Sequence, residues 1–72
     1  MNIVTRKPRP TYCEGAEIVI VKRTHSLHPY VVCTITPQSL KYNEWLHGHY
    51  FASLTEAVLF FCEYPNNRQQ VR

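Results

Sequence analysis

Residues 17–36 read Glu17-Ile18-Val19-Ile20-Val21-Lys22-Arg23-Thr24-His25-Ser26-Leu27-His28-Pro29-Tyr30-Val31-Val32-Cys33-Thr34-Ile35-Thr36. Two runs dominated by β-branched residues flank a polar segment that ends in proline. Each run is too short for a helix of usual length and rich in residues that suit a pleated surface, so each reads as a strand. The segment Thr24 to Pro29 reads as a turn, and Pro37 stops the second strand. So short a connection favours an antiparallel hairpin. Ile18-Val19-Ile20-Val21 is apolar at four consecutive positions, so it places apolar side chains on both faces of the sheet.

Downstream, the stretch from Gln38 to Asn43 is polar and reads as irregular. Residues Leu46 to Phe51 read as a third short strand. Ser53 is followed three positions later by Glu56, the spacing of a capping box, so a helix is predicted from Leu54 to about Glu63 or Tyr64. Pro65 and Asn66-Asn67 end it. At the helical period, Leu54, Ala57, Val58 and Phe61 share the face expected to pack on the sheet, with Leu59 and Phe60 on its flanks.

The expected fold is therefore α+β: a three-stranded antiparallel sheet with one C-terminal helix on one face, in the order β-β-β-α. One helix covers one face, so the second face is expected to be bare unless a partner covers it. Upstream, Arg6-Lys7-Pro8-Arg9-Pro10 carries two prolines in three positions and reads as an extended basic arm. The 72 residues form a single domain, with the arm over 1–12, the folded core over 16–64 and a loose polar tail over 65–72. A domain of this size buries only about 60% of the surface of its unfolded chain and is marginally stable.

Composition narrows the function classes. Hydrophobic residues make up 44% and charged residues 18%, which argues against intrinsic disorder. No apolar run approaches the roughly 20 residues of a membrane-spanning helix. The N-terminal residues have no apolar stretch leading to a small-residue cleavage site, so a cytoplasmic chain with no membrane partner is expected. Cys13, Cys33 and Cys62 are an odd set without disulfide spacing and read as reduced. His25 and His28, and His47 and His49, lack further ligands at the usual spacing, so no metal or other cofactor is expected. No phosphate loop and no nucleophile elbow is present, and the five glutamates form no evident acid–base pair. A non-enzymatic chain follows.

Two binding readings remain. Eight Lys and Arg against five Glu give a net charge of +3, which permits a nucleic-acid partner without demanding one. The order of elements, and the segment Trp45-Leu46-His47-Gly48-His49-Tyr50-Phe51-Ala52-Ser53-Leu54-Thr55-Glu56-Ala57, resemble the DNA readers built from a three-stranded sheet and a helix. These are the plant ethylene-response-factor type domain and the arm-binding domain of tyrosine recombinases. The resemblance implies base reading by Arg and Trp side chains of the first two strands. Here Tyr30 to Thr36 carries no basic residue, and the preceding strand offers only Lys22 and Arg23. On this alternative the contacts come from Arg6, Lys7, Arg9, Lys22 and Arg23, helped by Arg68 and Arg72.

The protein-binding reading rests on the aliphatic surplus and on nine aromatic residues: five Tyr, three Phe and one Trp. Tyr and Trp are enriched where interfaces hold most of their energy. The anchors are Trp45, Tyr50, Phe60, Leu59, Val19 and Val21, on an uncovered sheet face or edge. A homodimer is the simplest cover for such surface. Small size without a catalytic site resembles the accessory and inhibitor proteins of phages and mobile elements. The primary expectation is thus a small protein-interaction module, and the alternative a sheet-based DNA-binding protein.

Overall fold

In the computed structural model, which describes residues 1–66, the chain runs β1 (Ile3–Pro8), β2 (Glu17–Lys22), β3 (Tyr30–Ile35), α1 (Pro37–Lys41), β4 (Leu46–Phe51) and α2 (Leu54–Glu63). The expected hairpin forms: β2 and β3 pair antiparallel, from Glu17 opposite Ile35 to Lys22 opposite Tyr30. The sheet has four strands in the order β1-β2-β3-β4. The expectation of three strands is corrected by β1, which forms from residues of the expected basic arm.

The prolines concealed this strand. Arg9 N–H donates to Ala16 O at 2.9 Å, so Arg9 turns its backbone polar groups toward the β2 side. By alternation the nitrogen of Pro8 points to the free edge, where a missing donor costs the ladder nothing. Ile3, Val4 and Thr5 supply the β-branched start, and the register slips between Ile3 and Thr5, leaving Val4 as the extra residue of a bulge.

Both faces of β2 and β3 are buried. Ile18, Ile20 and Val32 meet Ala57 of α2, with Tyr30, Phe51, Phe60, Phe61 and Tyr64 packed around them. On the other face Val19, Val21, Val31, Cys33 and Ile35 form a second cluster, with Ile3 and Trp45 packed on it. The expectation of a bare second face is corrected here. Val19 is 0% and Val21 2% exposed, so neither reaches the surface. The Cα positions span only 17 Å along the thinnest axis, enough for two backbone layers about 10 Å apart. The second face is therefore covered by side chains, with no further element of the described residues over it.

The helix α2 has the predicted bounds. Its face is turned from the predicted one: Ala57, Phe60, Phe61 and Tyr64 face the sheet, while Leu54 and Val58 are 40% and 38% exposed. Aromatic rings decide this. Phe60 lies 5.2 Å from Phe51 and 4.7 Å from His49 between ring centroids, contacts that aliphatic packing by Val58 would forgo. The helix has no basic residue in its last turn. Lys7 of β1 supplies one, its Nζ donating to Phe61 O at 2.6 Å and lying 4.8 Å from the Phe61 ring.

The segment Gln38 to Asn43, read as irregular, contains α1. Thr36 Oγ1 accepts from Ser39 N–H and Ser39 Oγ accepts from Thr36 N–H, both at 2.9 Å. Pro37 occupies the first turn, where its missing N–H is harmless. At α2, Ser53 Oγ accepts from Glu56 N–H at 3.2 Å, the forward half of the predicted capping box. Replacing Ser53→Ala removes this acceptor and costs on the order of 1 kcal/mol. A urea midpoint lowered accordingly is the expected result, and an unchanged midpoint would show that the cap contributes nothing.

Candidate interaction surface

Strand β4 carries the aromatic residues on which the surface is built. Thr34 pairs with Leu46 and Val32 with His49, so β4 spends one residue more than β3 between these pairs. That extra residue lies at His47-Gly48, and His47 adopts φ 54°, a left-handed conformation that a side chain adopts at a cost of about 1–2 kcal/mol. The bulge lets the strand place His49 and Phe51 toward α2 while Tyr50, opposite Val31, lies on the face of the second cluster.

Trp45 and Tyr50 close over Gly48. Trp45 Nε1 donates to Tyr50 Oη at 3.3 Å. A Cβ on Gly48 would lie 3.0 Å from both Trp45 Nε1 and Tyr50 Oη, so only glycine leaves room for this approach. The Arg23 guanidinium lies 4.9 Å from the Tyr50 ring centroid, and its Nη2 donates to Ser26 Oγ and His28 O, each at 2.9 Å. Trp45, which packs on the cluster of Val19, Val21, Val31, Cys33 and Ile35, is thus linked through Tyr50 to Arg23 in one group. Tyr50 is 48% exposed, and Tyr42, shortly before Trp45, is 65% exposed.

Of the six protein-binding candidates, only Trp45 and Tyr50 come together. Val19 and Val21 lie beneath them. Phe60 is turned into the opposite cluster, stacked on Tyr64 at 5.3 Å. Leu59 is 66% exposed on the outer side of α2. Sequence reasoning missed Ile3 as cover and Arg23 as a partner of Tyr50. These residues are distant in the chain, and only the register of four strands joins them.

The nucleic-acid candidates are scattered and engaged. Arg6 pairs with Glu17, Nη2 to Oε1 at 3.0 Å. Lys7 holds the end of α2. Arg9 donates to Thr34 Oγ1 at 2.5 Å and lies between the rings of Tyr12 and Tyr64, 5.0 and 5.1 Å from their centroids. Lys22 lies 6.0 Å from the Tyr30 ring, and Arg23 is held as above. Arg68 and Arg72 lie outside the described residues.

Other chemistry is limited. Burial pushes the Cys33 thiol up to about 12, so it stays protonated and acts as a small apolar group. Cys13 and Cys62 are exposed. Among the described residues no three His, Cys, Asp or Glu side chains gather where they would hold a metal ion. No helix among them is long and apolar enough to cross a membrane. Comparison with protein-family models, with curated proteins and with solved structures returned no match.

Two outcomes follow from this geometry. Gly48→Ala should drive Trp45 and Tyr50 apart, at a cost on the order of 1 kcal/mol. Trp45 is the chain's single tryptophan, so a red-shifted emission together with a lower urea midpoint would report it. His49 provides the second. Burial beside Phe60 and Tyr64, and then the nearby His47, hold its pKa below the usual 6.5. The unfolded chain therefore takes up this proton before the folded one does. The stability it contributes is present above about pH 6.5 and is lost as pH falls toward the lower folded value. Urea midpoints should fall between about pH 8 and about pH 5.5, above the range of ordinary carboxylates, and His49→Leu should flatten that fall.

Proposed function

We propose that this chain is a small non-enzymatic protein-interaction module, which acts by occupying the surface of a partner protein with the Trp45–Tyr50–Arg23 face. The observation that carries this reading is the fixed triad itself. A tryptophan, a tyrosine and an arginine are the residue types that dominate interface energetics, and here each is held by another before any partner arrives. Side chains already ordered lose less entropy on binding. The flatness of the molecule adds support, because one layer of side chains lies between the second cluster and the outside.

Edge pairing is the weaker form of the same reading. On β1, Pro8 removes an outward donor and a bulge interrupts the strand. On β4, the bulge at His47-Gly48 does the same. Irregular edges of this kind discourage the addition of a further strand. The outer side of α2, with Leu54, Val58 and Leu59, is a second apolar area where a homodimer would form. The DNA-binding alternative requires Lys7 and Arg9 at one end of the hairpin, Lys22 and Arg23 at the other, and Arg6 at its pair with Glu17 to act along one path. Affinity for duplex DNA carried mainly by phosphate contacts needs several cations acting together.

The test is retention of a partner from nuclease-treated lysate on the immobilised chain. The expected binder withstands a rise from low to physiological salt, because apolar burial is little screened. It is lost with Tyr50→Ala and kept with Arg6→Ala. Retention abolished by nuclease, or by removal of Arg6, Lys7 and Arg9 with Tyr50 intact, would reverse the ranking of the two readings.

A further inference from the structure

On the helix side of the sheet, a cleft of about 330 Å³ opens between the end of β1, the start of the β1–β2 connection and the C-terminal end of α2. Lys7, Arg9, Cys62, Glu63 and Tyr64 line it, together with Pro8 and neighbouring backbone. We propose that this cleft is a binding site for a small ligand carrying an oxyanion, a phosphate or carboxylate group that meets Lys7 and Arg9.

Lys7 and Arg9 are both partly buried, and a cation drawn from water is favoured by a nearby counter-ion. Arg6–Glu17 is the one ion pair among the described residues, so neither Lys7 nor Arg9 has one there. The Arg9 guanidinium is fixed by the Tyr12 and Tyr64 rings and by Thr34 Oγ1. Its Nε is shielded from solvent and has no acceptor. Two ring faces and one hydroxyl offset its charge only in part. Lys7 Nζ donates to Phe61 O and Cys62 O at 2.6 and 3.4 Å, which leaves one of its three donors. Glu63 lines the same cleft but pairs with neither cation. Two positive charges thus face one carboxylate, and the helix-end carbonyls already accept hydrogen bonds, those of Phe61 and Cys62 from Lys7 and those of Phe60 and Glu63 from the Tyr64 and Asn66 N–H groups.

The cleft lies at the small end of the range for ligand sites, which suits a small molecule. A guanidinium held in one orientation suits the planar or tetrahedral oxygens of carboxylate or phosphate. Two cations in one cleft match a single oxyanion, and the site does not rest on the interaction surface across the sheet.

The test is an amide-detected NMR titration of the full chain with inorganic phosphate, and separately with acetate, at ionic strength held constant with sodium chloride. The expected result is saturable shifts confined to Lys7–Thr11 and Cys62–Asn66, with a higher thermal midpoint. Saturation by phosphate or by acetate supports the site and identifies the preferred geometry. Lys7→Gln, which removes the charge and keeps an N–H donor, should weaken binding roughly tenfold or more, the worth of a charge-assisted hydrogen bond. Lys41→Gln, an exposed position in the last turn of α1 and outside the cleft, should leave it unchanged. Shifts that rise linearly with either anion and match those from chloride would overturn the proposal, as would equal weakening by Lys41→Gln.

Discussion

Every other part of this fold answers to the two-sided burial of the β2–β3 hairpin. Ile18, Ile20 and Val32 on one face, and Val19, Val21, Val31 and Cys33 on the other, are each 2% exposed or less. Burying one such side chain is worth about 1.5–3 kcal/mol relative to leaving it in water, so neither face can stay open in a domain this small. Yet the described residues hold one helix long enough to cover a face. The aromatic residues of α2 cover the first. For the second, the chain uses Ile3 from β1 and Trp45 from the approach to β4, with Tyr50 and Arg23 beside them.

This solution accounts for features that look incidental when taken singly. The strand β1 brings Ile3 to the second cluster and Lys7 to the end of α2, so one edge strand serves both faces. The bulge in β4 lets one short strand supply His49 and Phe51 to the helix side and Tyr50 to the other. Gly48 stands where Trp45 and Tyr50 must approach the backbone, and the left-handed His47 beside it is held by the edge of the Tyr12 ring at 5.7 Å. The cost of a strained backbone is met by the packing it permits.

The hairpin, β4 and α2 were legible in the sequence because each has a local signal: β-branched runs, a strand-length aromatic segment, and Ser53 three residues before Glu56. What escaped was non-local. The strand β1 was hidden because proline argues against a strand until one knows which edge its nitrogen faces. The short helix α1 was hidden because its capping partner is Ser39, where the usual pattern has Glu or Gln, although Thr36-Pro37 is itself a helix start. The turn of α2 was misread because periodicity counts apolar positions equally, while Phe60 and Tyr64 find rings on β4 that Val58 cannot match. At the candidate surface, Trp45 and Tyr50 were legible from residue type. Arg23 was legible as a cation, and its role as their neighbour emerged only with the register.

The same distinction governs the electrostatics. A net charge of +3 counts cations without regard to their partners. Among the described residues, Arg6, Lys7, Arg9, Lys22 and Arg23 divide into three kinds. Arg6 is neutralised by a carboxylate at the surface, an arrangement worth little to stability and little available to a polyanion. Lys22 and Arg23 lie against the rings of Tyr30 and Tyr50 at one end of the hairpin, where their stems cover apolar surface. Lys7 and Arg9 lie at the other end, held by carbonyls, rings and a hydroxyl that leave their charge in place. A long polyanion needs many cations along one path, and this arrangement offers none that runs from one group to the next. A compact anion needs two cations at one point, and the end of α2 supplies them. Among the described residues, these five cations thus take part in helix capping, aromatic packing and one surface ion pair, with one local excess of positive charge.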